Sequence, residues 1–128
     1  MRLLLDSHAF LWFIAGNPRL SQRARSLIED QANSRLLSIA SLWELGIKVG
    51  LGRLDIGMTL PMLLREHVEQ NAITILPIEP RHVLRVAALP NLHGDPFDRM
   101  LVAQALEDGL AILSADATLD AYGPVRTW

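Results

Sequence analysis

Four acidic residues in this chain stand where apolar segments begin or end. Asp6 directly follows the run Leu3 to Leu5, and Asp116 comes just after Ala111 to Ser114. Asp98 lies in the first turn of an apolar helical segment, and Glu44 lies inside a third apolar stretch. Four acids so placed call for one common reason. Clustered carboxylates without cysteine or a multi-histidine set suit a hard divalent ion, Mg²⁺ or Mn²⁺, which takes oxygen ligands and keeps several waters. The chemistry this implies is phosphoryl transfer to water, in which the ion binds a phosphate oxygen, activates water and neutralises the leaving oxygen.

Each acid also has a purely structural reading. In HGDPFDRMLVAQALEDG, residues 93–109, Asp95 sits at the N-cap position, Pro96 at the first helical position and Gly109 at the close. Acids in a first helical turn contribute roughly 0.3 to 1 kcal/mol through the helix dipole. That suffices for Asp95, a cap first and a secondary site candidate. Glu44 falls three residues after Ser41, which makes Ser41 a cap and Glu44 its capping-box partner. Asp120, four residues after Asp116, is either a secondary metal contact through water or polar surface. His8 and His93 read as hydrogen-bonded structural groups, and His67 and His82 have no acid nearby in sequence. Trp12 and Trp43 read as core aromatics rather than base-stacking platforms.

The elements needed to position these residues alternate. Strands are expected at Met1–Leu5, Arg35–Ile39, Ile73–Ile78 and Ala111–Ser114, with an edge strand at Val125–Trp128. Helices are expected from His8 to Ala15, after Ser21, from Ser41 to Leu51, from Leu60 to Asn71, from Pro80 to Leu89 and over residues 96–108. A short turn of helix follows at Ala117–Ala121. Pro77 confines the third strand to an edge or an end, and Arg81 and Arg85 read as a solvated face. The alternation predicts an α/β fold with a mostly parallel sheet of four to five strands, helices covering both faces. Ligands of such sheets bind beyond the carboxyl ends of the strands, where Asp6 and Asp116 fall and where Asp98 can join them.

At 128 residues, half of them hydrophobic, the chain is expected to form one domain over residues 1–128. Without cysteine it has neither a disulfide framework nor a thiolate metal site, which suits the reducing cytoplasm. No uninterrupted apolar run approaches the about 18 residues of a membrane span. A net charge of −2 excludes the global basic footprint of a nonspecific nucleic-acid binder. Every basic residue but Lys48 is arginine, the better planar fork for phosphate.

The segments LLLDSHAFLW, SLWELGIKVGLGRL, HGDPFDRMLVAQA and ILSAD, in this order, resemble the PIN domain and, more closely, the VapC toxins of toxin–antitoxin modules. The resemblance spans nearly the whole chain. It implies a PIN-like three-layer sandwich and a metal-dependent endoribonuclease, held inactive by a VapB-type antitoxin and assembled as a homodimer. Carried over position by position, Asp6, Glu44, Asp98 and Asp116 match the family's acidic quartet. Ser114 joins the secondary candidates, as a group that orients water or a metal ligand. The antitoxin is expected to lay a helix against Phe10, Trp12 and Phe13 in the first helix and Leu60, Met62 and Leu63 in the fourth, with an arginine reaching the acids.

Two other classes compete. A phosphate-receiving signalling domain shares the architecture but needs a lysine at a late strand end, and Lys48 is mid-helix. A catalytically inactive PIN-like module would bind RNA or protein by contact alone, which the complete quartet disfavours.

Overall fold

The computed structural model describes residues 1–128. Five strands form one parallel sheet in the order β3-β2-β1-β4-β5: β1 Arg2–Leu5, β2 Ser34–Ser38, β3 Thr74–Leu76, β4 Ala111–Leu113 and β5 Arg126–Thr127. The helices are α1 Ser7–Ala15, α2 Gln22–Glu29, α3 Ile39–Gly50, α4 Leu60–Met62, α5 Pro80–Ala88 and α6 Pro96–Asp108.

Alternation along β1 divides the core between the two sheet faces. Leu3 and Leu5 join Phe10, Ala24, Ile28, Leu45, Leu63 and Val68 on one side. Leu4 joins Leu101, Val102, Ala105, Ile112 and Leu119 on the other. The sandwich is therefore three-layered. Helix α5 packs on α6, while α3 touches both α1 and α6 and so spans the edge of the sheet at the carboxyl ends of its strands.

Several element boundaries differ from the sequence expectation. β2 ends at Ser38, paired with Leu76 of β3, and the Ser38 hydroxyl accepts from the Ala40 N–H. Ser38 is thus the cap of α3, and Ser41 is one turn inside the helix, buried and without a hydrogen-bond partner. The expected capping box at Ser41 and Glu44 does not form. The segment expected to be one α-helix from Leu60 to Asn71 has a single α-helical turn capped by Thr59 and then widens into a π-helix, Leu63–Glu69. Strand β3 stops before Pro77, whose carbonyl accepts from the buried Gln104 side chain of α6.

Arg81 and Arg85 do not form a free solvated face. Arg81 forms a two-pronged ion pair with Asp108, and Arg85 lies 3.6 Å from Glu107. His82, fully buried, accepts the Glu79 N–H at Nδ1 and places Nε2 2.8 Å from Asp108 Oδ2. The Arg81 guanidinium, more than any other neighbour, holds the Asp108 carboxyl below its ordinary range. This brace joins the start of α5 to the end of α6 and leaves the α6 N-terminus free to face the strand ends.

Candidate functional site

The strand order reverses direction between β1 and β4. β2 and β3 extend to one side of β1, β4 and β5 to the other, and such a switch point opens a crevice at the carboxyl edge. Asp6 leaves β1 there, its N–H still donating to the Leu113 carbonyl of β4. Asp116 leaves β4 two residues after Ser114.

Three of the acids also begin helical segments. Asp6 accepts the Ala9 N–H at 2.7 Å and caps α1. Asp95 Oδ1 accepts from Phe97 and Asp98 at 2.8 and 3.2 Å and caps α6. Asp116 accepts both the backbone N–H and the hydroxyl of Thr118 at the head of a 3₁₀ turn, Ala117–Tyr122. These N-termini aim positive dipole ends at a recess that concentrates negative charge.

That recess, about 140 Å³, is lined by Asp6, Ser7, His8, Glu44, Lys48, Asp95, Asp98 and Asp116. The four acids of the expected quartet thus come together, with Asp95 beside them. Glu44 reaches the recess from the second turn of α3. Its Oε1 accepts from Ser7 Oγ at 2.9 Å and its Oε2 from Lys48 Nζ at 3.2 Å.

Crowding and burial perturb these groups. Burial, reinforced by the charge of Asp95, pushes the Asp98 carboxyl up to about 6. Burial also raises Asp6, against a hydrogen bond from the Ser114 hydroxyl that lowers it. Asp116, more exposed, is held below its ordinary range, first by its bond to the Thr118 hydroxyl. Ser114 itself is fully buried, and its oxygen also accepts the Asp116 N–H. It ties the two strand-end acids together.

Two acidic groups whose charged forms are disfavoured, in a recess lined by five carboxylates and one lysine, make a site short of positive charge. The ligand atoms of His93, Asp98 and Asp116 lie within 4.8 Å of one another, and a carboxylate-rich cluster of this kind fits a divalent cation.

Other expected positions fall elsewhere. Asp120 forms a two-pronged ion pair with Arg126 and does not line the recess. Phe10 and Leu63 are fully buried in the chain's own core and offer no contact surface, which corrects their expected place in a partner interface. Trp12, Phe13 and Leu60 are half-buried, and Met62 is exposed. Trp12 does line a groove of about 330 Å³ with Leu11, Ile14, Leu54, Ile56 and Met58, and this groove shares His8 with the acidic recess. Trp43, expected in the core, is 61 % exposed and stands edge-on to Phe97 at 5.3 Å.

His93, read from the sequence as a hydrogen-bonded structural group, lies 3.5 Å from Asp98 and 3.9 Å from Asp116, beside the acids of the recess. Its spacing of two and five residues from Asp95 and Asp98 was the one signal the chain offered. Ser7, adjacent to Asp6, carried none, because its partner Glu44 is 37 residues away.

The PIN domain family profile matches residues 3–123. Ribonuclease VapC22 of Mycobacterium tuberculosis is 33 % identical to the chain, with 98 % of each covered. VapBC2 from Rickettsia felis, solved bound to a DNA fragment from their promoter, superimposes with a TM-score of 0.74 at 13 % identity, covering 99 % of this chain and 98 % of that one. VapBC-1 from nontypeable Haemophilus influenzae gives 0.69 at 15 % identity, covering 95 % and 92 %. These two structural likenesses are of fold. With the profile spanning almost every element described above and a relative aligned end to end, the chain belongs to the PIN-domain family, in its VapC branch.

Proposed function

We propose that this chain is a metal-dependent endoribonuclease toxin, acting in the cytoplasm through a single domain and neutralised by a VapB-type antitoxin. The observation that carries the reading is the convergence of Asp6, Glu44, Asp98 and Asp116 on one recess at the sheet's switch point. The ribonuclease name of the VapC22 relative supplies the substrate class.

Asp6, Asp98 and Asp116 would hold Mg²⁺ or Mn²⁺, with Glu44 beside them. When bound, such an ion supplies Lewis acidity at the phosphate and offsets the charge that develops there. The chain's own residues do the remainder. Glu44, braced by Ser7 and Lys48, accepts the proton of the attacking water. The water oxygen bonds to phosphorus, the bond to one sugar oxygen breaks and that oxygen takes a proton from solvent, so the products are a phosphomonoester and a hydroxyl end. Ser114 keeps Asp6 and Asp116 at fixed spacing throughout.

Two surfaces support partners. The groove beside Trp12 runs from α1 along the loop at residues 54–58 toward the recess, a path for an amphipathic antitoxin helix with an arginine at its acidic end. On α3 and its C-cap, Ile39, Trp43, Ile47 and Leu51 recur every fourth residue and are all exposed. An apolar ridge of this length on a small protein suits a second copy in a homodimer.

The test is cleavage of purified RNA by the purified chain with Mn²⁺, with Mg²⁺ and with chelator, alongside Glu44→Gln. Metal-dependent cleavage that Glu44→Gln abolishes is the expected result. Cleavage that persists in chelator would overturn the mechanism, and soluble protein that cleaves under none of these conditions would favour an inactive binding module.

A further inference from the structure

The two ring nitrogens of His93 are in different situations. The backbone N–H of Asp95 donates to Nδ1 at 3.1 Å. A ring nitrogen that accepts carries no hydrogen, so the neutral imidazole carries its hydrogen on Nε2. Nε2 is the nitrogen turned toward Asp98 and Asp116, at 3.5 and 3.9 Å. Both distances exceed those of a well-formed N–H···O bond, which leaves an N–H aimed at the recess and underused.

This is the reverse of a metal-binding histidine, which ligates through a bare nitrogen while its other N–H donates outward to a carbonyl or carboxylate. For Nε2 to ligate, the hydrogen would have to move to Nδ1 and point at the Asp95 N–H, donor against donor. The loop that carries the ring is also anchored. Arg99 of α6 donates to the carbonyls of Val86 and Pro90 and to the Tyr122 hydroxyl, fixing the loop that carries His93. His93 further borders a wide groove of about 500 Å³ lined by Trp43, Phe97 and Met100, so its edge lies between that groove and the acids.

Building on the RNA-cleavage reading above, we propose that His93 is a substrate-contacting hydrogen-bond donor. Its Nε2–H binds a nonbridging oxygen of the scissile phosphate, outside the ligand set of the metal. In a recess walled by carboxylates that repel a phosphate, and whose lysine is paired with Glu44, a donor of this kind assists entry and orientation.

The experiment compares wild type, His93→Ala and His93→Gln in three measurements: Mn²⁺ affinity by calorimetry, initial rate of RNA cleavage, and ring ¹⁵N shifts of wild type with and without Mg²⁺. His93→Ala is expected to slow cleavage roughly ten- to hundredfold, the worth of one hydrogen bond to a charged group, with Mn²⁺ affinity unchanged. His93→Gln, whose amide keeps an N–H near the position of Nε2, recovers part of the rate. The wild-type ring keeps its Nε2 hydrogen when Mg²⁺ is added. Weakened Mn²⁺ binding in both variants, or loss of that hydrogen on adding Mg²⁺, would overturn the proposal in favour of a metal ligand. Unchanged cleavage by His93→Ala would overturn it in favour of a structural role. If His93→Ala does not fold, His93→Gln and the ring shifts decide alone. A wild type without metal-dependent cleavage defeats the ribonuclease reading itself, which separates the two failures.

Discussion

The hydroxyl of Ser7 donates to Glu44 Oε1 at 2.9 Å, joining the first residue of α1 to the second turn of α3 across the mouth of the recess. This bond, with the one from Lys48 Nζ to Oε2, and not a capping box, fixes the Glu44 carboxylate. Ser7→Ala should therefore cost roughly 1.5 to 3 kcal/mol, the range for a bond to a charged acceptor, and slow cleavage by loosening Glu44. Glu44→Gln keeps an oxygen for Ser7 and removes the charge. It should melt within a few degrees of wild type while cleavage falls by orders of magnitude, and near-normal cleavage would remove Glu44 from the mechanism.

The raised Asp98 pKa sets the sign of two pH effects. Its folded-state value of about 6 exceeds the ordinary 3.8, so the folded chain holds the extra proton. The resulting stabilisation is fully present below the ordinary value and is lost as pH rises through about 6. Metal binding runs the other way, because the ion must displace that proton, and affinity should climb with pH through the same window. Calorimetry in buffers of different ionisation enthalpy should read about half a proton or more released per Mn²⁺ at pH 6 and far less at pH 8. Equal release at both pH values would contradict the burial of Asp98 among like charges.

Growth assays test the partner surface. Expression of the chain alone should slow bacterial growth, and co-expression with its cognate antitoxin should restore it. Ile56→Asp, in the groove beside Trp12 and apart from the acids, should still cleave RNA but resist neutralisation. Full neutralisation of that variant would place the antitoxin elsewhere.

The exposed α3 ridge predicts an oligomeric state. Wild type should run as a dimer in light scattering, and Ile47→Asp, at the centre of the ridge, should shift it to monomer with its circular dichroism unchanged. A dimer that tolerates this charge uses another surface.

The strand ends were legible in sequence because an acid directly after three leucines marks the point where a buried strand leaves the core. Helix α6 was legible because Asp95, Pro96 and Gly109 mark both its ends. The start of α3 was not. Ser38 and Ser41 are both competent caps three residues apart, and the choice is made by pairing of Ser38 with Leu76 of β3, a contact 38 residues away. The π-helix carries no local signature either, since its wider turn serves to bury Leu63 and Val68 against the sheet. The exposure of Trp43 and the placement of His93 likewise depend on how α3 and α6 meet, which periodicity within either helix does not encode.

The most direct test of the central claim replaces Asp98 with asparagine and measures two quantities side by side. Asp95, not Asp98, is the cap of α6, so the Asp98 charge is not needed to start the helix. In chelator, Asp98→Asn should match or exceed wild type in chemical denaturation, because it relieves repulsion from Asp95, Glu44 and Asp116. In Mn²⁺, its RNA cleavage should fall by orders of magnitude. A variant less stable than wild type in chelator that still cleaves RNA at a comparable rate would contradict the assignment of this recess as the metal-binding, RNA-cleaving site.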